Sequence, residues 1–220
     1  MQFILRFGLL AICLCAIACS ENSSSASDFD AASICPESGR GTFIDDRDGQ
    51  VYKYTTIGDQ IWMAENLKYN AEYSVCYDSL NGFCDTYGRF YSLQKNGDGL
   101  AELDENLVAS VCPAGWHVPS LAEWETMINE VGGYGNESAS SRLRNIAIWD
   151  YIAKPNNKCG FSAIPAGVYI GKNNLVYEEN QAIFWTSTPM GNGMIYSIKI
   201  NYEVTPFNSL YRMSLRCVKD

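Results

Sequence analysis

The side chains best suited to chemistry are a single histidine, nine cysteines and two short acidic stretches. His117, between Trp116 and Val118, could act as a general base or a metal ligand. A triad mechanism also needs a nucleophile and an orienting carboxylate. Neither can be located from the sequence, so the ring is expected to hydrogen-bond the backbone where the chain turns into a helix. A non-haem iron centre needs more than one histidine and is excluded. Asp45-Asp46-Arg47-Asp48-Gly49 is one acidic stretch; Asn96-Gly97-Asp98-Gly99 with Glu102, Asp104 and Glu105 is the other. Both could wrap calcium, yet neither has the twelve-residue ligand series of an EF-hand. Asp-Gly is what a hairpin turn demands, so the first is expected to be a turn and the second a solvated loop. With no Cys-x-x-Cys and one histidine, no structural zinc site is expected.

Compartment decides how the cysteines are read. Residues 1–18 carry one charge, Arg6, before an apolar run from Phe7 to Ala18. That run is too short to span a bilayer and fits a signal peptide. Ala16-Ile-Ala-Cys19 resembles the lipobox of bacterial lipoproteins, with Ala16 where Leu is commoner, so Cys19 is the expected lipidated N-terminus; the alternative is secretory cleavage after Ala18. Residues 19–34, rich in serine, read as a tether that cannot bury enough surface to order itself. Ser20 after the lipidated cysteine is compatible with outer-membrane delivery. Residues 35–220, roughly 185, suffice for one domain. The full chain has 16 basic and 25 acidic side chains, a net charge of −9. Loss of Arg6 makes it more acidic still, which argues against nucleic acid.

Once Cys13 and Cys15 leave with the leader and Cys19 takes lipid, Cys35, Cys76, Cys84, Cys112, Cys159 and Cys217 remain. An even number in an exported chain argues for three disulfides, which 15 connectivities could satisfy. Cys76–Cys84 is favoured, because the intervening residues contain Asn81-Gly82 and can fold back.

The elements that must position these groups are predominantly strands. Thr42–Ile44 and Val51–Thr56 flank the Asp-Gly turn as a hairpin, and Gln60–Met63 follows as a third strand. Arg89–Gln94 is predicted as a short helix and Lys95–Asn106 as a polar insertion. Ser120 and Glu123 form a capping box opening a helix from Leu121 to about Val131. Its apolar stripe is Leu121, Trp124, Ile128 and Val131, and Gly132-Gly133 stops it. Ser138–Ile146 is a second helix. Strands are expected in 161–170, 175–178, 183–188, 194–204 and 210–218. The predicted class is α+β: antiparallel sheets with about two helices, stabilised by disulfides.

Seven sequence elements occur in one order: Arg47-Asp-Gly49, Gln60-Ile-Trp-Met-Ala-Glu-Asn-Leu67, Tyr87-Gly-Arg-Phe-Tyr91, Cys112-Pro-Ala-Gly-Trp-His-Val-Pro-Ser-Leu-Ala-Glu-Trp124, Gly160-Phe-Ser-Ala-Ile-Pro-Ala-Gly167, Phe184-Trp-Thr-Ser-Thr188 and Ser214-Leu-Arg-Cys-Val-Lys-Asp220. From about Thr42 to Asp220 the chain resembles the Fibrobacter succinogenes major paralogous domain, a family of mostly uncharacterised envelope proteins. The resemblance implies a Cys112–Cys217 bridge, leaving Cys35–Cys159 by elimination. Val118-Pro-Ser-Leu-Ala-Glu-Trp124 also resembles the C-type-lectin-like and formylglycine-generating-enzyme-like superfamily, which implies that fold. Oxidation chemistry of the latter kind relies on a reactive cysteine pair, whereas Cys159 and Cys217 are assigned to structural bridges. Lectin-type calcium binding would use Glu-Pro-Asn or Gln-Pro-Asp with Trp-Asn-Asp, and the chain has neither.

Fourteen Tyr, nine Phe and five Trp leave sugar stacking as the remaining lead. Trp62, Trp124 and Trp185 are assigned to the core. Tyr202, Asn208 and Tyr211, around an expected Glu203–Ser209 turn, are the candidate ligand surface. The functional expectation is a monomeric outer-membrane lipoprotein, anchored through lipid, without a cofactor, metal or catalytic residue. Its domain would bind a polysaccharide or an envelope protein. An enzyme related to formylglycine-generating enzymes and a purely structural envelope protein are the alternatives.

Overall fold

The computed structural model describes residues 29–76, 82–97, 101–149, 154–170, 174–176, 180–201, 204–209 and 211–220, with backbone alone at 174–176, 204 and 206–209. β1 (Gly41–Asp45) and β2 (Gln50–Ile57) form the expected hairpin. Its turn closes because Asp45 accepts from the Gly49 N–H at 2.8 Å and Gly49 adopts φ 75°, a region glycine enters freely. β3 (Gln60–Met63) continues the meander. β12 (Val218–Lys219) then fits between β3 and β6 (Trp116–His117), giving an antiparallel sheet of order β1-β2-β3-β12-β6. Val218 faces Trp62 on one side and His117 on the other. A second sheet has the order β11-β10-β9, from β9 (Ala182–Gly191), β10 (Met194–Ile200) and β11 (Val204–Ser209). Two small ladders pair β4 (Ser74–Val75) with β5 (Phe90–Tyr91) and β7 (Val168–Ile170) with β8 (Asn174–Val176).

Helix α4 (Leu121–Glu130) has the predicted capping box: the Glu123 N–H donates to Ser120 Oγ at 3.2 Å, and the Ser120 N–H donates to Glu123 Oε2 at 2.7 Å. Trp124, Met127, Ile128 and Val131 are fully buried, while Leu121 packs at the rim of the same core. The Gly133 N–H returns to the Ile128 carbonyl at 2.8 Å, with Gly132 and Gly133 both at positive φ, and the helix stops there. α5 (Glu137–Leu143) follows, capped by Asn136.

The class is α+β with antiparallel sheets and three disulfides, but five helices, not two, occur among the described residues. α1 (Ala31–Ile34), α2 (Phe83–Tyr87) and α3 (Glu105–Ser110) are too short for a periodic apolar signal. Residues 89–94 are not helical: Phe90 and Tyr91 form β5, both buried, and Tyr91 exchanges backbone hydrogen bonds with Met213. Where a turn was expected over 203–209, residues 204–209 are strand β11 in register with β10. Its Pro206 sits on an edge strand, where proline is tolerated. Only 168–170 of the stretch 161–170, and 218 of the described residues 211–218, are strand; bridges at Ala163, Gly167, Arg212, Met213 and Ser214 tie others to neighbours. Residues 29–34, assigned above to a tether, pack on the domain: Asp30 caps α1, the Gly58 N–H reaches the Ile34 carbonyl at 2.8 Å, and Arg142 lies 3.8 Å over the Phe29 ring.

Two apolar clusters hold the domain. One joins Trp62, Trp124, Phe161 and Phe184 with the α4 stripe, and Trp62–Trp124 ring centroids lie 4.7 Å apart. The other gathers Tyr52, Met63, Trp116, Trp185 and Leu215 around Cys112 and Cys217. Trp62, Trp124 and Trp185 have no exposed surface, and each indole N–H is satisfied, by Gln60 Oε1, the Trp185 carbonyl and the Tyr91 carbonyl respectively. Among the described residues no helix is long and apolar enough to cross a membrane.

Candidate functional site

The hairpin β1–β2 forms one wall of a cleft of about 350 Å³. Tyr52 on one face of β2 and Thr55 on the other are both buried, while Lys53, nearer the turn on the Thr55 face, is exposed. Ala64–Lys68, after β3, adds Glu65, Asn66 and Lys68, and the opposite wall is 157–164. Side-chain donors hold these walls together. The Thr55 hydroxyl, buried, donates to the Cys159 carbonyl at 2.6 Å; Arg40 Nη2 donates to the Lys158 carbonyl at 2.6 Å. The Lys53 N–H binds Glu65 Oε2 at 2.8 Å, and the Lys68 N–H binds the Tyr52 hydroxyl at 2.9 Å. Two glycines allow close approach: a Cβ on Gly41 would meet the Tyr54 hydroxyl at 2.6 Å, and one on Gly160 would meet Arg40 Nε at 2.8 Å. Asn157 (φ 48°) and Ser162 (φ 55°) are non-glycine residues in the left-handed region. They brace each other, Asn157 Nδ2 donating to Ser162 Oγ at 2.7 Å and the Ser162 N–H to Asn157 Oδ1 at 2.9 Å. Backbone strain of this kind gathers where a surface must keep a set shape.

Arg216 lies beneath the floor with no exposed surface. Its Nε donates to Asn66 Oδ1 at 2.8 Å, Nη2 to the Ser162 carbonyl at 2.9 Å and Nη1 to the Phe161 carbonyl. The guanidinium also lies 4.3 Å from the Phe161 ring centroid. Burial pulls it down to about 9, the more distant Glu65 opposing the shift, so it stays charged at neutral pH. A second open cleft of about 850 Å³ adjoins the first, sharing Arg40 and Asn157 and reaching Pro36, Glu37, Ile146 and Lys158.

The other polar cluster is at His117. Its Nδ1 lies 2.6 Å from Asp220 Oδ1 and its Nε2 2.6 Å from Glu123 Oε1, so the ring binds two carboxylates where sequence led us to expect the backbone. Burial lowers its pKa, but the bonds to Asp220 and Glu123 outweigh that and raise it above the ordinary 6.5. The Ser120 hydroxyl donates to Glu123 at 2.7 Å and not to the imidazole. An imidazole flanked on both nitrogens has no site left to take a proton from a nucleophile. The cluster clamps β6, α4 and the residue after β12.

Asp98 and Gly99 of the second acidic stretch lie outside the described residues, and the carboxylates of Asp45, Glu102 and Asp104 are engaged within the fold. Arg47 grips Asp45 with both arms, at 2.8 and 2.7 Å, and donates to the Ser110 and Val111 carbonyls. Burial would raise the Asp45 pKa, yet Arg47 holds it below the ordinary carboxylate value. Glu102 pairs with Lys95 at 2.9 Å, and Asp104 caps α3. Among the described residues no group of three His, Cys, Asp or Glu is placed to hold a metal ion. The disulfides are Cys35–Cys159, Cys76–Cys84 and Cys112–Cys217, the pairs expected above.

A family model described as the Fibrobacter succinogenes major domain matches residues 55–219. The chain belongs to that family. No curated protein and no solved structure matches it.

In this Fibrobacter succinogenes major domain the ligand residues proposed from sequence are described only in part. Tyr202, like Cys19, lies outside the described residues. Asn208 is in β11 opposite Tyr196, its side chain outside the described residues; Tyr211, 40% exposed, follows that strand and does not line the cleft. The cleft residues Lys53, Lys68 and Arg40 carry no motif signal of their own. Asn66, Gly160 and Arg216 do fall in the shared sequence elements, and a polar or glycine position inside an otherwise apolar motif was the available clue.

Proposed function

We propose that this chain is an outer-membrane lipoprotein, anchored through Cys19, whose domain binds polysaccharide in the Arg40–Lys53–Lys68 cleft without catalysing a reaction. The observation that carries the reading is the cleft's lining: the ammonium groups of Lys53 and Lys68, the Arg40 guanidinium, the Asn145 amide, the Thr86 hydroxyl and the Tyr54 ring. Convergent hydrogen-bonding groups beside an aromatic face suit sugar hydroxyls. The three disulfides support an oxidising compartment. We extend the fold reading to a C-type-lectin-like domain, supported by β12 returning beside β3 under a disulfide. Binding is favoured over formylglycine-type oxidation because every cysteine among the described residues is paired, leaving no thiol there to start that chemistry.

Pull-down of the mature protein with insoluble polysaccharides, a glycan array and labelled-palmitate incorporation test the two halves of the proposal. Retention on at least one polysaccharide and label lost in Cys19→Ala are expected. Failure to bind any polysaccharide or envelope protein would overturn the binding reading, and two titratable thiols in the native protein would revive the enzyme.

A further inference from the structure

We propose that the ligand is an acidic polysaccharide, its charged groups lying along a basic track of Lys68, Lys53, Arg40 and Lys158. This rests on the cleft being the glycan site and names the class of glycan it takes.

The chain as a whole is acidic, with a net charge of −9, yet the lining of the two adjoining clefts reverses that balance. Arg40, Lys53, Lys68, Lys158 and Arg216 stand against two acids, Glu37 and Glu65. Glu65 is partly committed, one oxygen accepting the Lys53 N–H. Glu37 meets Arg40 only at 4.0 Å and is almost fully exposed, so its pairing is weak. Lys53 and Lys68 form no ion pair with any described residue. Arg216 deepens the imbalance from below. All its near acceptors are neutral oxygens, from Asn66, Phe161, Ser162 and Met63. Because it is wholly buried, a ligand cannot touch it; its charge acts as a field through the floor, strengthened by the low polarisability of its surroundings.

Shape selects a chain over a single sugar. The first cleft is at the small end of the roughly 300–1,000 Å³ range of ligand sites, and through Arg40 and Asn157 it opens into the second. A polymer with anionic groups along its length can follow that path. Nucleic acid is the other polyanion, but one charge per roughly 1.7 Å of duplex brings strong repulsion from an acidic protein.

The test uses the full-length protein, processed and purified in detergent, with polygalacturonate, chondroitin sulfate, a phosphomannan, xylan and single-stranded DNA as probes. Polygalacturonate or one of the other two charged glycans should bind, which of the three identifying the anionic group, and xylan should not compete. Affinity should fall several-fold on raising salt to about 0.5 M, because exposed charge pairs are screened. The double variant Lys53→Met/Lys68→Met should bind about tenfold more weakly, the loss expected when two solvent-exposed charge pairs are removed, with an unchanged melting temperature. Binding of xylan as tight as that of the charged glycans, insensitive to salt, would overturn the acidic assignment and leave the glycan site standing. Preference for DNA, or full affinity in the double variant, would also overturn it. Absence of all glycan binding would remove both this proposal and the reading beneath it.

Discussion

The regions around Cys112–Cys217 and Cys35–Cys159 are each closed by one long-range bridge, with sequence separations of 105 and 124, yet they are built from different materials. Cys217 is surrounded by Met63, Trp116, Trp185 and Leu215, and its strand β12 completes a sheet. Cys159 shares a core with Trp62 and Trp124 on one side, but the carbonyls of Lys158, Cys159 and Ser162 are held by polar bonds from Arg40, from Thr55 of β2 and from Arg216 respectively. Apolar packing closes the first region to solvent. Side-chain donors reaching backbone carbonyls span the second and leave room for a cleft. The difference teaches where a ligand can enter: packed apolar surface has no spare polar group to offer, whereas a wall stitched by hydrogen bonds presents the same chemistry to whatever lies beside it.

Breaking the bridges is the strongest test of that contrast. In the chain-entropy relation the Cys112–Cys217 and Cys35–Cys159 loops are worth almost the same, about 4.8 and 4.9 kcal/mol, and Cys76–Cys84, eight residues apart, about 2.5. Loop length therefore predicts equal losses for Cys217→Ser and Cys159→Ser. We expect Cys217→Ser and Cys159→Ser to lose similar stability, because each serine also places a hydroxyl in a fully buried apolar cluster, and Cys84→Ser to lose least. Denaturant midpoints read the order, with non-reducing peptide maps confirming the intended bridge is gone. A loss for Cys84→Ser matching that for Cys217→Ser would show that neither loop length nor packing ranks these bonds.

Thr55→Val sharpens the comparison at smaller cost. Valine keeps the shape of this fully buried residue but removes the donor to the Cys159 carbonyl, for which an unpaired buried acceptor suggests about 1–3 kcal/mol. Hydrogen exchange should rise at the amides of residues 157–162 and stay unchanged in α4. Equal loosening of α4 would mean that the two regions open as one unit and that the polar wall is not separately held.

How much was legible follows the same division. Ser120, Glu123 and the Trp124–Val131 stripe lie within a dozen residues, so their capping and burial are local facts that a sequence displays. The Asp45–Gly49 turn is local in the same way. The cleft is assembled from Arg40, Lys53, Lys68, Asn157 and Arg216, and singly each surface cation among them reads as a solvated side chain. Arg89–Gln94 was misread because the two-residue strand Phe90–Tyr91 is specified by partners at Ser74–Val75 and Met213, not by its own periodicity. β11 was misread because Pro206 and Asn208 signal a turn, whereas pairing with β10 overrides that preference at a sheet edge.

The smallest effect lies at the solvent end of the packed region, where His117 of β6 joins Glu123 and Asp220. His117 has its folded pKa raised above 6.5, so its contribution is complete below that value and is lost as pH climbs through the folded pKa. For Glu123 burial pushes upward, but the Ser120 N–H, the Ser120 hydroxyl and His117 together hold it below 4.5. Its contribution is present above 4.5 and disappears as pH falls through the folded value. The clamp is therefore strongest between 4.5 and 6.5. His117 is 39% exposed, and water screens such a pair, so less than about 1 kcal/mol is at stake. His117→Gln should flatten the decline in urea midpoint between about pH 5.5 and pH 8.5 while leaving cleft binding untouched. The same decline in the variant would place the titrating group elsewhere and reduce this end of the sheet to its packing and its disulfide.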